Sequence, residues 1–238
     1  MKLSIIVPFF NEENIIQKMY DALVAEVNKI TKAEFEIIFI NDGSKDRTFE
    51  KMRAIADGDS RVKYISFSRN FGKEAGTIAG LEYATGEAVI LMDGDLQHPP
   101  AMIPRMIEAY EEGYDVVSAR RTRTGEKPHR TFLAKHFYRL ANKMMDIELM
   151  DGVSEFRLFS RKAVRAILSL QEYNRFSKGI FSWIGFKEKV IEYENQVRTV
   201  GETKYSLKFS LNYAIQGILS FNDKPLRMCI NFGLFCLL

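Results

Sequence analysis

Asp93 and Asp95, two aspartates one residue apart, are the most chemically suggestive feature of this chain. They follow an apolar run, Ala88-Val89-Ile90-Leu91, that reads as a buried strand. In an extended backbone, residues two apart point to the same side, so both carboxylates converge on one ligand. Gly94 between them lets the chain bend or a ligand come close. Carboxylates so placed repel unless a cation or hydrogen-bond donors stand between them. A hard divalent ion, Mg²⁺ or Mn²⁺, carrying a diphosphate would satisfy both. A turn with two solvated aspartates is the alternative that this triplet alone leaves open.

The elements that must position this pair alternate along the first half. Apolar strands are expected over 3–8, 35–40, 62–67, 87–92 and 115–119. Helices are expected over 12–30, 46–56, 73–84 and 100–112, with Asp46 as an N-cap and Ile15, Ile16, Met19, Leu23 and Val27 as one buried stripe. This alternation predicts an α/β fold, a mostly parallel sheet covered on both faces. Ligands of such sheets bind outside the carboxyl ends of the strands. Those ends read Pro8 to Glu12, Asn41-Asp42-Gly43-Ser44, Ser68-Arg69-Asn70 and Asp93-Gly94-Asp95. They offer amides and carboxylates for a base and a ribose, beside a carboxylate pair for a metal. Further on, the pattern predicts a basic amphipathic helix over 131–145, a strand over 155–159, a helix over 161–170 and a strand over 189–196. An amphipathic helix over 205–221 sits where an interfacial helix would belong, or else packs on the domain.

The chain has 238 residues, enough for one large domain or two small ones. Its net charge is only +3. From Arg120 to Met145, however, eight basic residues face the single acid Glu126. Such a stretch suits a phosphate-bearing or anionic surface, or equally a solvated helix face. Nucleic acid is not the expected partner, since stacking aromatics and a known module are not evident. No G-x-G-x-x-G follows the first strand and no P-loop occurs, which argues against dinucleotide dehydrogenases and P-loop NTPases. Cys229 and Cys236 make no disulfide framework, and His98, His129 and His136 make no metal-ligand pattern. The start at Met1-Lys2-Leu3-Ser4 shows no signal peptide, so the catalytic part is expected in the cytoplasm. The apolar run Met228 to Leu238 reads as the start of a truncated transmembrane helix, or else as a short core helix.

Taken together, three sets of motifs resemble the family 2 glycosyltransferases of the GT-A fold. They are Ser4-Ile5-Ile6-Val7-Pro8 with Asn11-Glu12, Asn41-Asp42-Gly43-Ser44 with Asp46-Arg47-Thr48, and Asp93-Gly94-Asp95-Leu96-Gln97 with Pro99-Pro100. Ser68 to Lys73, Glu155-Phe156-Arg157-Leu158, and Arg198 with Gly201-Glu202-Thr203-Lys204-Tyr205 narrow the resemblance. They are similar to the polyprenyl-phosphate glycosyltransferases, the group of dolichol-phosphate mannose synthase and bactoprenol glucosyl transferase. The resemblance implies that Pro8, Asn11, Glu12 and Asp42 hold the base and ribose. It implies a metal and diphosphate site at Asp93, Asp95 and Gln97, with Arg198 and Lys204 closing over the diphosphate. Arg120 and Arg130 would meet a lipid phosphate, and Trp183 would lie near the sugar or acceptor entrance. Glu155 stands where the family usually has Asp. It becomes the candidate base if the acceptor is a hydroxyl rather than a phosphate.

The implied reaction is inverting transfer of a hexose, with glucose from UDP-glucose favoured, onto undecaprenyl phosphate. The expected setting is the cytoplasmic face of a bacterial inner membrane, with a membrane surface as partner and a homo-oligomer conceivable. The implied organisation is a GT-A domain over 1–204, an interfacial helix over 205–224 and the start of a membrane segment over 225–238. Two other functions stay open: a family 2 transferase extending a glycan, and a non-catalytic nucleotide-sugar-binding membrane module.

Overall fold

The structure, a computed structural model, describes residues 1–122, 150–172, 175–194 and 224–237, with isolated positions between them. Strands β1 (Lys2–Phe9), β2 (Glu34–Asn41), β3 (Val62–Ser66) and β4 (Ala88–Leu91) alternate with helices α1 (Ile16–Val27), α2 (Thr48–Gly58) and α3 (Lys73–Tyr83). A 3-10 turn over Pro100–Met102 leads into α4 (Ile103–Glu111). Then come β5 (Val116–Arg121), β6 (Val153–Ser160), α5 (Arg161–Ser169), α6 (Ser177–Trp183), β7 (Glu188–Tyr193) and α7 (Lys224–Leu237).

The described strands form one sheet in the order β3-β2-β1-β4-β6-β5-β7. β4 lies between β1 and β6, and all four of its side chains are buried. Burial from both faces explains its unbroken apolar run. On α1, Ile16, Met19, Leu23 and Val27 recur at helical spacing and are buried, with Ile15 just before them. Phe9 and Phe39 meet edge to face at 5.2 Å in the same core.

β6 is antiparallel to both β4 and β5, while the other pairings are parallel. The start of β6 therefore joins the rim where its neighbours end. Leu91 pairs with Arg157. Extending that register by two residues brings Asp93 across from Glu155.

The starts of α1 and α2, like that of α4, fall later than the sequence pattern predicts. The amides of Ile15 and Ile16 turn back to the Glu12 carbonyl, and α1 begins at Ile16. α2 begins at Thr48, so the N-cap position is Arg47 rather than Asp46. Asp46 still accepts the Thr48 amide at 3.0 Å, but it also accepts the Glu13 amide at 3.1 Å. Its carboxylate ties two loops together as well as serving a helix start.

The chain divides into two compact units. One holds the sheet and spans Met1–Thr124, Gly152–Gln171 and Phe186–Gly201. The other comprises Gly125–Asp151, Glu172–Gly185 and Glu202–Leu238. Within the second, Phe221 packs beside Phe176 and Trp183. The expected basic helix over 131–145 and interfacial helix over 205–221 lie outside the described residues, apart from isolated positions. The expected membrane segment falls largely on α7, whose Leu226, Met228, Phe232 and Phe235 are exposed. α7 has 14 residues, and no helix among the described residues is long and apolar enough to cross a membrane.

Candidate active site

The loops after β1 and β2 are stitched together. The Asn11 amide donates to Ser44 Oγ at 3.0 Å, and the Lys45 amide donates to Asn11 Oδ1 at 2.8 Å. The Glu12 amide donates to Thr48 Oγ1 at 2.8 Å. These bonds hold Asn11 at a φ of 52°, a conformation that asparagine tolerates better than most residues. Gly43, at a φ of 65°, adopts the same left-handed region without cost, and no side chain fits there. A Cβ there would lie 2.2 Å from the Arg69 carbonyl carbon. This close approach lets the next loop reach Asp42. The Asp42 carboxylate accepts the Phe71 amide at 2.7 Å, the Gly72 amide at 3.0 Å and Asn70 Nδ2 at 2.9 Å. Burial pushes the Asp42 carboxyl above its usual range, with the two amides pulling against that. Asp42, expected to hold the nucleotide, thus also fixes the loop that delivers α3.

At the start of α3, Lys73 connects two carboxylates. Its Nζ lies 2.5 Å from Asp93 Oδ1 and 3.0 Å from Glu155 Oε2. The Glu155 contact is electrostatic, since that oxygen has no well-aligned hydrogen-bond donor. The other Asp93 oxygen, Oδ2, is 3.1 Å from His98 Nε2, and His98 Nδ1 is 2.9 Å from the Tyr193 hydroxyl. Asp93 and Lys73 keep 28% and 30% of their side-chain surface open, against 9% for Glu155, so the cluster opens at its Asp93 end. Burial alone would raise the Asp93 carboxyl, but Lys73 and His98 hold it well below the usual carboxylate range. Burial likewise opposes the charge on Lys73, yet Asp93 and Glu155 keep it firmly an ammonium.

Asp95 is placed differently. Its Oδ1 accepts the Gln97 amide at 3.1 Å, and Leu96 between them takes a φ of 60°. Gly94 sits against Phe9, where a Cβ would meet the ring at 2.4 Å. The spacing of the acids predicts Asp93 and Asp95 as metal ligands, and the family resemblance adds Gln97. The structure sets Asp93 apart, its two oxygens engaged by Lys73 and His98. Asp95 Oδ2 and the Gln97 side chain make no hydrogen bond or ion pair among the described residues. No three His, Cys, Asp or Glu side chains among the described residues converge as a ready-made metal cage. This oxygen set still fits Mg²⁺ or Mn²⁺, which need only one or two carboxylates when phosphates complete the shell.

The glycosyl transferase family 2 profile matches residues 4–168. The chain belongs to that family. The glycosyltransferase CsbB of Bacillus subtilis is 50% identical over 236 residues, covering 99% of this chain and 71% of that protein. A bactoprenol glucosyl transferase of Shigella phage SfX is 44% identical over 236 residues, covering 99% of this chain and 77% of that one. Among solved structures, glucosyl-3-phosphoglycerate synthase from Mycobacterium tuberculosis, in complex with Mn²⁺ and UDP-glucose, aligns with a TM-score of 0.56 at 20% identity. That alignment covers 91% of this chain and 76% of the synthase. The mannosyltransferase PcManGT from Pyrobaculum calidifontis, in complex with GDP-Man and Mn²⁺, aligns at 0.57 with 17% identity, over 80% of this chain and 54% of its own. These alignments establish the GT-A fold.

In this family 2 glycosyltransferase, the remaining expected site residues fall in several places. Arg120, next to last in β5, lies at the same rim, where its guanidinium pairs with Glu192 of β7. Trp183 lies in the second unit and is 57% exposed. Arg130, Arg198 and Lys204 lie outside the described residues. Lys73, His98 and Tyr193 were not singled out by the pattern of acids. One signal for Lys73 was available: a lysine in the first turn of a helix opposes the helix dipole, so it needs anionic partners.

Proposed function

We propose that this chain transfers a hexose from a nucleotide-sugar to a polyprenyl phosphate, with UDP-glucose and undecaprenyl phosphate as the favoured pair. The observation that carries this reading is the 44% identity, over 99% of the chain, to a protein named bactoprenol glucosyl transferase. The rim geometry supports it. Pro8, Asn11, Glu12 and Asp42 line the base-and-ribose end. Asp95 and Gln97 offer oxygens for Mg²⁺ or Mn²⁺. When bound, such an ion neutralises charge that develops on the departing nucleoside diphosphate. Arg198 and Lys204 are assigned to the same diphosphate, and Arg120 and Arg130 to the acceptor phosphate.

No side chain need remove a proton from this acceptor. A phosphate monoester has a second pKa of about 6 and is already an anion at neutral pH. The protein's task is to orient it, which arginines do by paired hydrogen bonds. Glu155 suits this division of labour. Its carboxylate is buried and matched to Lys73, so it supplies a fixed counter-charge rather than an exposed base. The expected course is a single inverting displacement at the anomeric carbon. The proposed setting is the cytoplasmic face of a bacterial inner membrane, where a lipid phosphate is presented.

A panel of donors and acceptors tests the reading. Label should enter the lipid phase from UDP-glucose with undecaprenyl phosphate, and not with unphosphorylated undecaprenol. Transfer to a soluble glycan but not to the lipid phosphate would favour a glycan-extending transferase instead.

A further inference from the structure

We propose that Lys73 is a positioning residue that keeps Asp93 from binding the divalent ion on its own, so that the ion arrives with the diphosphate and rests on Asp95. The inference rests on reading the rim as a nucleotide-diphosphate site. It is carried by the way the structure treats two aspartates that are only one residue apart. Asp93 has an ammonium 2.5 Å from Oδ1 and an imidazole 3.1 Å from Oδ2. Asp95 gives one oxygen to its own loop amide and leaves the other open among the described residues.

The same ammonium is matched to Glu155 at 3.0 Å, on a strand running the opposite way. One lysine thus balances carboxylates from the end of β4 and the start of β6. It is fixed in turn by the loop that Asp42 holds, since Gly72, whose amide donates to Asp42, immediately precedes Lys73. A second cation on Asp93 would sit beside this ammonium and be repelled by it. A cation on Asp95 and Gln97 lacks a protein cage and completes its shell with phosphate oxygens. Ion binding is thereby coupled to nucleotide binding.

The test measures Mn²⁺ alone, by counting free ion spectroscopically in titrations of the full chain in detergent. Lys73→Met keeps most of the length of the side chain and removes its charge, and Lys73→Arg keeps a charge. Without nucleotide, Lys73→Met is expected to bind Mn²⁺ at least about tenfold more tightly than the wild type, with Lys73→Arg unchanged. UDP should then tighten Mn²⁺ binding less in Lys73→Met than in the wild type. A purely structural lysine would not produce tighter binding on its loss. If Lys73→Met does not fold, Lys73→Met with Glu155→Gln removes the surplus charge and is expected to show the same gain. Equal or weaker Mn²⁺ binding in the folded variant overturns the proposal. UDP binding to the wild type is measured separately by calorimetry. Its absence would count against the nucleotide reading, while the comparison with Mn²⁺ alone still decides the role of Lys73.

Discussion

The Asp42 carboxylate accepts the backbone amide of Phe71 at 2.7 Å, across 29 residues of chain. Through this bond the end of β2 fixes the loop that starts α3. In Asp42→Asn, one carboxylate oxygen becomes an amide nitrogen that cannot accept a hydrogen bond. At least one of the donors from Asn70, Phe71 and Gly72 is then left unpaired. We expect a loss of about 1–3 kcal/mol in unfolding free energy, together with weaker UDP binding. Urea titration and calorimetry check the two parts.

Gly94 allows no side chain. A Cβ would fall 2.4 Å from the Phe9 ring, which is buried and stacked edge to face on Phe39. Gly94→Ala should therefore displace the Asp93 to Gln97 segment or strain the core, at about 1–3 kcal/mol. Transfer activity should fall more than this loss of stability explains. The check is kcat measured well below the variant's Tm.

Glu36 lies away from the rim, buried between Ser4, Thr85 and Lys63. Burial pushes its carboxyl up, yet the hydrogen bonds from Lys63, Ser4 and Thr85 bring it down to about 2 from 4.5. Between those values the unfolded chain holds more protons, so stability rises with pH there. The contribution is complete above 4.5 and is lost as pH falls through about 2. It amounts to about 2–3 kcal/mol, because Lys63 is half exposed and partly screened. Glu36→Gln should be less stable at neutral pH and should lose less on acidification. Unfolding midpoints across acid pH measure this.

Tyr193→Phe removes the hydroxyl 2.9 Å from His98 Nδ1, inside a buried contact. The imidazole loses a partner, at about 1–3 kcal/mol. Because His98 also steadies Asp93, transfer should fall as well. Denaturation and rate measurements on the same variant separate the two effects.

Much of this was legible in the sequence. β1, β2 and β4 are buried runs of Ile, Val, Leu and Phe, so their existence followed from composition alone. The rim followed from the alternation of strands and helices, and Asp42, Asp93 and Asp95 fall on it. The direction of β6 did not follow, because an apolar strand reads alike both ways. That reversal brings Glu155 across from Asp93. The distinction between Asp93 and Asp95 was equally hidden. It depends on Lys73, 20 residues upstream, and on His98, whose partner Tyr193 is 95 residues away. Helix starts were misplaced where side chains of neighbouring loops, such as Asp46 and Thr48, take up the backbone amides.

Sugar transfer to a lipid phosphate at the Asp95 rim is open to direct measurement. Its most direct test follows labelled glucose from UDP-glucose into undecaprenyl phosphate in detergent, with and without EDTA, for the wild type and Asp95→Ala. The account predicts lipid-phase label that EDTA abolishes and that falls on the order of 100-fold in the variant. Label that survives EDTA, or an Asp95→Ala variant as active as the wild type, would contradict it.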